Sequence, residues 1–160
     1  MESSRSRSGE IGSHIFMVLV TVTNLIFFTS FHKYIAWHTT EPDGSVTRLS
    51  MLTSDYFTWL PIAITASILA ILAFTVMIFY DNYRFRMTAE IIVLITGVAV
   101  AVSLVSIFPF DFSVIPNATA VDVVPTAVTV FFILLAVFYG ATSLVMFVKL
   151  RRYAAKQDSG

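Results

Sequence analysis

Four long stretches of the chain contain no Asp, Glu, Lys or Arg, and shorter polar segments separate them. These stretches cover residues 11–32, 56–80, 91–110 and 123–148. Each is close to the roughly 20 residues that an α-helix needs to cross about 30 Å of hydrocarbon. The segment "AITASILAILAFTVMIFY" lacks the apolar and polar alternation of a membrane β-strand. The pattern therefore predicts an all-α integral membrane protein, a single domain of four transmembrane helices in an antiparallel bundle.

The helix boundaries follow from the polar and helix-breaking residues beside each stretch. We expect spans at about 12–32, 56–80, 89–108 and 123–148. Pro109 lacks a backbone donor, so the third span should end near Ile107 or Phe108. Thr88 is the expected N-cap of that helix, and Glu90 would add negative charge to its first turn. The polar ends, residues 1–10 and 153–160, are expected to be disordered and cytoplasmic.

Composition and charge support the membrane assignment and predict an orientation. Hydrophobic residues make up 57% of the chain and charged residues 12%, whereas soluble domains have about 45–50% and about 25%. One side of the predicted spans has only Lys33 and Arg48 as basic residues. The other side has Arg5, Arg7, Arg84, Arg86, Lys149, Arg151, Arg152 and Lys156. Because basic residues are retained in the cytoplasm, both termini are predicted to be cytoplasmic.

The loop between the first two spans, residues 33–55, is the longest predicted connection. Its "EPDGS" segment is typical of a turn, because Pro42 fixes φ and Gly44 tolerates positive φ. The flanking "YIAW" and "SVTRL" segments could pair as a hairpin, and a flexible polar connection is the alternative. A four-span topology with cytoplasmic termini and a larger first outer loop is similar to that of claudin-like and other tetraspan proteins. The loop nevertheless contains no Cys pair and no Trp-Gly-Leu-Trp motif.

Catalytic motifs are absent from the sequence. There is no Cys, which excludes disulfides and thiolate chemistry. His32 and His38 are six residues apart, a poor spacing for two ligands on one helix, and no HExxH, GxSxG or glycine-rich phosphate loop is present. We therefore expect no enzyme activity, no cofactor and no metal.

The polar residues within the spans are mostly hydroxyls, which can bond to their own helix. Asn24 differs, because its amide cannot be fully satisfied in that way within hydrocarbon. We interpret Asn24 as a contact between helices or, with Thr21, as the lining of a path for a polar solute.

Acidic and histidine side chains at the outer ends of the spans form a candidate outer-face site of Asp111, Asp122, His32 and His38. Asp111 lies between Phe110 and Phe112, so it either marks the membrane surface or binds a cation or a partner. The sequon at Asn117 is a candidate for N-glycosylation.

The basic cluster of Lys149, Arg151 and Arg152 is expected to contact anionic lipid on the inner face. The absence of catalytic motifs and the length of the outer loop favour an interaction, accessory or scaffold subunit of a membrane complex. The alternative is a homo-oligomeric channel or transporter for a small solute or ion. The expected partners are the lipid bilayer and either another membrane protein or a second copy of the chain, and no nucleic acid is expected.

Overall fold

A computed structural model describes residues 7–157, apart from the Lys156 side chain. In chain order the described residues form α1 (Arg7–Ile26), a π-helical turn (Phe27–Phe31), a 3-10 turn (His32–Tyr34), β1 (Ala36–Thr40), β2 (Val46–Ser50), α2 (Tyr56–Phe79), α3 (Tyr83–Ile107) and α4 (Ala118–Gln157). Each of the four helices is long and apolar enough to cross a membrane. The prediction of four long apolar helices is therefore confirmed.

Helices that follow one another in the chain pack together: α1 against α2, α2 against α3, and α3 against α4. Within the described residues, α1 and α4 make no comparably extended contact. Buried side chains form two clusters. The first contains Tyr56, Trp59, Ala63 and Leu104, and the second contains Ala70, Phe74, Met77 and Ala89. Both clusters join α2 to α3, so these two helices form the centre of the structure.

Contacts at one end of the helices bring the start of α1, the α2–α3 connection and the end of α4 together. Arg7 pairs with Asp81 across 3.7 Å, and the rings of Tyr83 and Tyr153 lie 4.6 Å apart. We call this the terminal end. The opposite end carries the β1–β2 hairpin and is called the hairpin end.

The end of α1 widens into a π-helical turn, which the sequence does not predict. A π-helix breaks the regular bonding pattern of an α-helix, so its carbonyls need other partners. The Tyr56 hydroxyl donates to the Phe28 carbonyl at 2.7 Å, and His32 Nδ1 lies 3.1 Å from the same oxygen. The start of α2 thereby stabilises the irregular end of α1.

The β-hairpin confirms one of the two readings of the outer loop. β1 and β2 pair antiparallel from Ala36 opposite Ser50 to Thr40 opposite Val46. Gly44 has φ +83°, which is its expected role in the turn, and the Asp43 carboxylate accepts from the Ser45 amide at 2.9 Å.

The hairpin is joined to the α3–α4 connection by backbone bonds. Leu52 and Phe110 form an antiparallel bridge. The Thr53 amide donates to Pro109 at 3.1 Å, and the Asp111 amide donates to Met51 at 2.9 Å. These bonds fix the two loops of the hairpin end against each other.

The predicted start of the third helix is wrong. α3 begins at Tyr83, where the Asn82 side chain accepts from the Phe85 amide at 3.2 Å and caps the helix. Thr88 is not the cap, because it lies inside α3 and its hydroxyl donates to the Arg84 carbonyl. The predicted end is confirmed, since α3 ends at Ile107 and Phe108 adopts the left-handed conformation with φ 44°.

α4 extends beyond the predicted span at both ends. It begins at Ala118 rather than near 123, because the Asn117 side chain accepts from the Ala120 amide at 3.2 Å. Helical structure covers residues 7–10 and 153–157, where the sequence predicts disorder. The remaining parts of those two predicted segments, 1–6 and 158–160, lie outside the described residues.

Candidate functional site

A cavity of about 650 Å³ lies between the four helices. Its wall includes Val20, Thr21 and Asn24 of α1, Trp59, Ala63 and Phe74 of α2, Glu90, Gly97 and Leu104 of α3, and Phe132, Tyr139 and Met146 of α4. Its volume falls within the roughly 300–1,000 Å³ that is usual for small-molecule sites, and its walls are largely apolar. The cavity is therefore the candidate functional site.

The cavity extends along the helices. Along α3 its wall runs from Glu90 to Leu104, a rise of about 21 Å at about 1.5 Å per residue. A space of this length can accommodate one extended chain.

Hydroxyl groups on the cavity wall bond to their own helices, as the sequence predicts. The distances to the accepting carbonyls are 2.7 Å from Thr21 to Met17, 2.8 Å from Ser67 to Ala63, 2.8 Å from Thr96 to Val93 and 2.8 Å from Thr142 to Phe138. Because their protons are used in this way, these hydroxyls present mainly acceptor lone pairs and methyl or methylene groups to the cavity.

Asn24 lines the same cavity as Thr21. Its amide makes no hydrogen bond to any of the described residues, so a bond from Asn24 to another helix is not observed. The structure thus brings the two predicted lining residues together on one wall of a cavity within a single chain. An amide that lacks a protein partner can bond to a polar group placed in the cavity.

Charged residues at the terminal end of the cavity form a cluster that sequence reasoning missed. Arg86 of α3 forms an ion pair with Glu10 of α1. His14 is buried and stacks on Phe74, with ring centroids 6.1 Å apart. Glu90 lies one turn beyond Arg86 and lines the cavity itself. The charge-free stretches begin just after Glu10 and Glu90, and the sequence places Glu90 only in the first turn of the third helix. The spacing of four in both Glu10/His14 and Arg86/Glu90 nevertheless places each pair on one helix face.

Aromatic side chains surround the hairpin end of the cavity. Phe28 and Trp59 pack edge to face with centroids 5.3 Å apart, and Tyr56 lies 5.8 Å from Trp59. Trp59 is only 3% exposed overall, yet it contributes to the cavity wall. Its indole nitrogen points to the Val100 carbonyl at 3.4 Å, a long and therefore weak hydrogen bond.

Gly97 allows α3 and α4 to approach closely beside the cavity. A Cβ atom placed at Gly97 would lie 2.9 Å from Cδ2 of Tyr139. The glycines of α3 and α4 differ in role: Gly97 lies against another helix, whereas a Cβ at Gly140 would meet nothing within 4 Å.

The residues of the candidate outer-face site occupy separate positions. Asp111 accepts from the Ser113 hydroxyl at 2.6 Å and from its amide at 2.9 Å, which lowers the pKa of the Asp111 carboxyl below 3.8. Asp122 is exposed near the start of α4, and His38 is exposed opposite Arg48 in the hairpin. The structure thus gives Asp111 a local partner in its own turn.

His32 packs against α2 with its ring stacked on Tyr56 at 5.3 Å. It lines a second, smaller pocket of about 290 Å³ with Lys33 and Arg48, but His38, Asp111 and Asp122 do not line that pocket. Within residues 7–157, no group of three or more His, Cys, Asp or Glu residues is arranged to hold a metal ion.

The remaining candidate residues are exposed. Asn117 caps α4 through its side-chain oxygen. Lys149, Arg151 and Arg152 lie on the last turns of α4, and the Arg151 guanidinium lies 6.0 Å from the centre of the Phe147 ring. A basic cluster next to an aromatic ring at a helix end suits the membrane surface.

The four apolar helices define the chain as a multi-pass membrane protein. Comparison with models of protein families, with curated proteins and with solved structures found no match. Its function is therefore inferred from the cavity and from the residues that line it.

Proposed function

We propose that this protein is a non-enzymatic membrane protein that binds a small amphiphilic molecule in the cavity between its four helices. The observation that supports the proposal is the cavity itself. It is apolar along most of its length, and Asn24 and Glu90 are the lining residues that offer an amide and a carboxylate to a ligand. A hydrocarbon chain with one polar end matches such a wall, since specific sites combine apolar surface with a few placed polar groups.

The proposal includes the orientation of the chain. Four helices in an antiparallel bundle would place both termini on one side of the membrane, and the basic residues favour the cytoplasm for that side. The contacts of the terminal end support this arrangement, because they join the start of α1 and the end of α4 to the α2–α3 connection. The hairpin would then lie outside.

The ligand would enter the cavity between α1 and α4, which pack against each other only to a limited extent. Because these two helices make no extended contact among the described residues, a molecule dissolved in the bilayer can reach the cavity laterally. Transport of a small solute, the alternative function, would use the same cavity, with Thr21 and Asn24 facing the solute inside one chain rather than between copies.

Fluorescence of Trp59 tests the proposal, because Trp59 lines the cavity while its surface is 3% exposed. Trp37→Phe removes the other tryptophan of the chain. In nonionic detergent, ω-bromododecanol should quench Trp59 in a saturable manner. Ala66→Phe, which adds a ring to the cavity wall, should abolish this quenching. Ala99→Phe, at an exposed position outside the cavity wall, is the matched control and should preserve it.

Two results would contradict ligand binding in the cavity. One is quenching that rises linearly with the probe and never saturates, as collision from the micelle would produce. The other is an equal response of the Ala66→Phe and Ala99→Phe proteins.

A second candidate function, an accessory or scaffold subunit, is favoured by the exposed β-hairpin. All five residues of β2 are exposed, and the outer edges of a two-stranded sheet have unpaired backbone groups. Such an edge can accept a strand from another protein. Replacement of residues 36–50 by a Gly-Ser linker should release a partner that co-purifies with the unaltered chain. Retention of that partner would exclude the hairpin as the docking surface.

A further inference from the structure

Among the described residues that line the cavity, Glu90 is the only charged one. It lies seven residues after the start of α3, about 10 Å along the helix from Tyr83. A carboxylate that faces an apolar space is costly unless an opposite charge or hydrogen-bond donors compensate for it. The kind of group that would offset the charge of Glu90 therefore indicates what the cavity binds.

The basic side chain closest to Glu90 on α3 already has an acidic partner. Arg86 forms an ion pair with Glu10, and both side chains are about one-quarter exposed, 23% and 29%. Among the described residues, Glu90 makes no hydrogen bond or ion pair of its own, although Arg86 and His14 are close enough to act on it electrostatically.

The other basic residue near this end of α3 does not face the cavity. The Arg84 guanidinium lies 5.9 Å from the centre of the Tyr153 ring and is not part of the cavity wall. Arg7 pairs with Asp81 at the surface, so that pair carries no net charge. Neither Arg84 nor the Arg7–Asp81 pair therefore places a basic group on the cavity wall beside Glu90.

We propose that the cavity selects an amphiphile with a cationic ammonium head group, which contacts Glu90. This inference rests on the proposed binding function and adds the class and orientation of the ligand. The apolar chain of the ligand extends from Glu90 toward the hairpin end. Val100, whose carbonyl lies beside the Trp59 indole, is ten residues and about 15 Å beyond Glu90. The far end of a dodecyl chain therefore reaches Trp59.

Three probes that differ only in their head group test the proposal in the Trp37→Phe protein. They are ω-bromododecylammonium, ω-bromododecanol and ω-bromododecanoate in nonionic detergent, with each titration corrected for partition into micelles. The ammonium probe should quench Trp59 with a Kd at least about tenfold below that of the alcohol, because a hydrogen bond between charged groups is stronger than one to a neutral hydroxyl. The carboxylate probe should bind more weakly than the alcohol.

Glu90→Gln should abolish the preference for ammonium, so that the Kd values of the ammonium and alcohol probes become equal. Saturable quenching by the alcohol in this variant shows that the cavity is retained. Glu41→Gln removes an acid from the exposed hairpin turn and is the matched control, so it should keep the full preference. An ammonium probe with bromine next to the head group should quench Trp59 much less than the ω-bromo isomer.

The outcomes separate the two proposals. If the alcohol binds and the ammonium probe binds no better, or if Glu90→Gln retains the preference, the cationic ligand is excluded while the binding function stands. Equal quenching by the two bromine positions would overturn the orientation. If none of the probes quenches Trp59 in a saturable manner, the binding function itself is wrong.

Discussion

Replacement of Gly97 by alanine should destabilise the contact between α3 and α4. The new Cβ atom would lie 2.9 Å from Cδ2 and 3.1 Å from Cε2 of Tyr139. Both distances are too short for carbon atoms, which pack best at about 3.5–4.0 Å. Either the Tyr139 ring moves or the two helices separate, and overpacking of this kind typically costs about 1–3 kcal/mol.

Gly140 provides the matched control for this substitution. Alanine in place of glycine within a helix gains about 1 kcal/mol in intrinsic propensity at either position. Nothing lies within 4 Å of a Cβ atom at Gly140. The propensity gains cancel between the two variants, so Gly97→Ala should be less stable than Gly140→Ala by the overpacking cost, about 1–3 kcal/mol.

The free energy of unfolding can be measured by titrating the folded protein in nonionic micelles with a denaturing detergent and following far-UV circular dichroism. The double variant Gly97→Ala/Tyr139→Leu should recover part of the loss, because the rigid ring is removed. Equal stability of the two alanine variants would refute the close approach of α3 and α4 at Gly97.

Two further predictions concern local structure. Asn82→Ala should reduce the free energy of unfolding by about 1 kcal/mol because it removes the cap of α3. Thr88→Ala should have a much smaller effect, since its hydroxyl only bonds within the helix, and equal losses would contradict the observed helix start. In an NMR titration the pKa of Asp111 should lie below 3.8, because the carboxylate accepts two hydrogen bonds from Ser113. Their stabilising effect should be complete above about pH 3.8 and lost as the pH falls through the lowered pKa. Ser113→Ala should raise that pKa toward 3.8, and an unchanged titration would exclude the hydrogen bond from the Ser113 hydroxyl.

The sequence contains enough information to predict four membrane helices, because uncharged stretches of about 20 residues have few alternatives in a folded protein. It is less informative about where each helix begins. Asn82 and Asn117 both cap helices ahead of the apolar stretches, so α3 and α4 start five or six residues earlier than hydropathy suggests. Hydropathy marks the portion suited to hydrocarbon, whereas capping marks the end of the hydrogen-bonded helix.

The candidate site could be predicted only in part. Asn24 and Thr21 are recognisable as unusual positions within an apolar helix, and both line the cavity. Glu90 is obscured because Thr88 resembles a better helix start than Asn82, which would leave this acid at a surface turn. The ion pair between Glu10 and Arg86 joins residues 76 positions apart, and no local pattern specifies such a pairing.

Native mass spectrometry of the protein released gently from its own membrane is the most direct test of ligand binding in the cavity. We expect a chain that carries one small amphiphile with a basic nitrogen, and an Ala66→Phe protein from the same membrane that carries none. A bare chain in both preparations, under conditions that retain other bound lipids, would contradict a ligand-binding cavity. A fixed complex with an unrelated subunit and no small molecule would favour the accessory function instead.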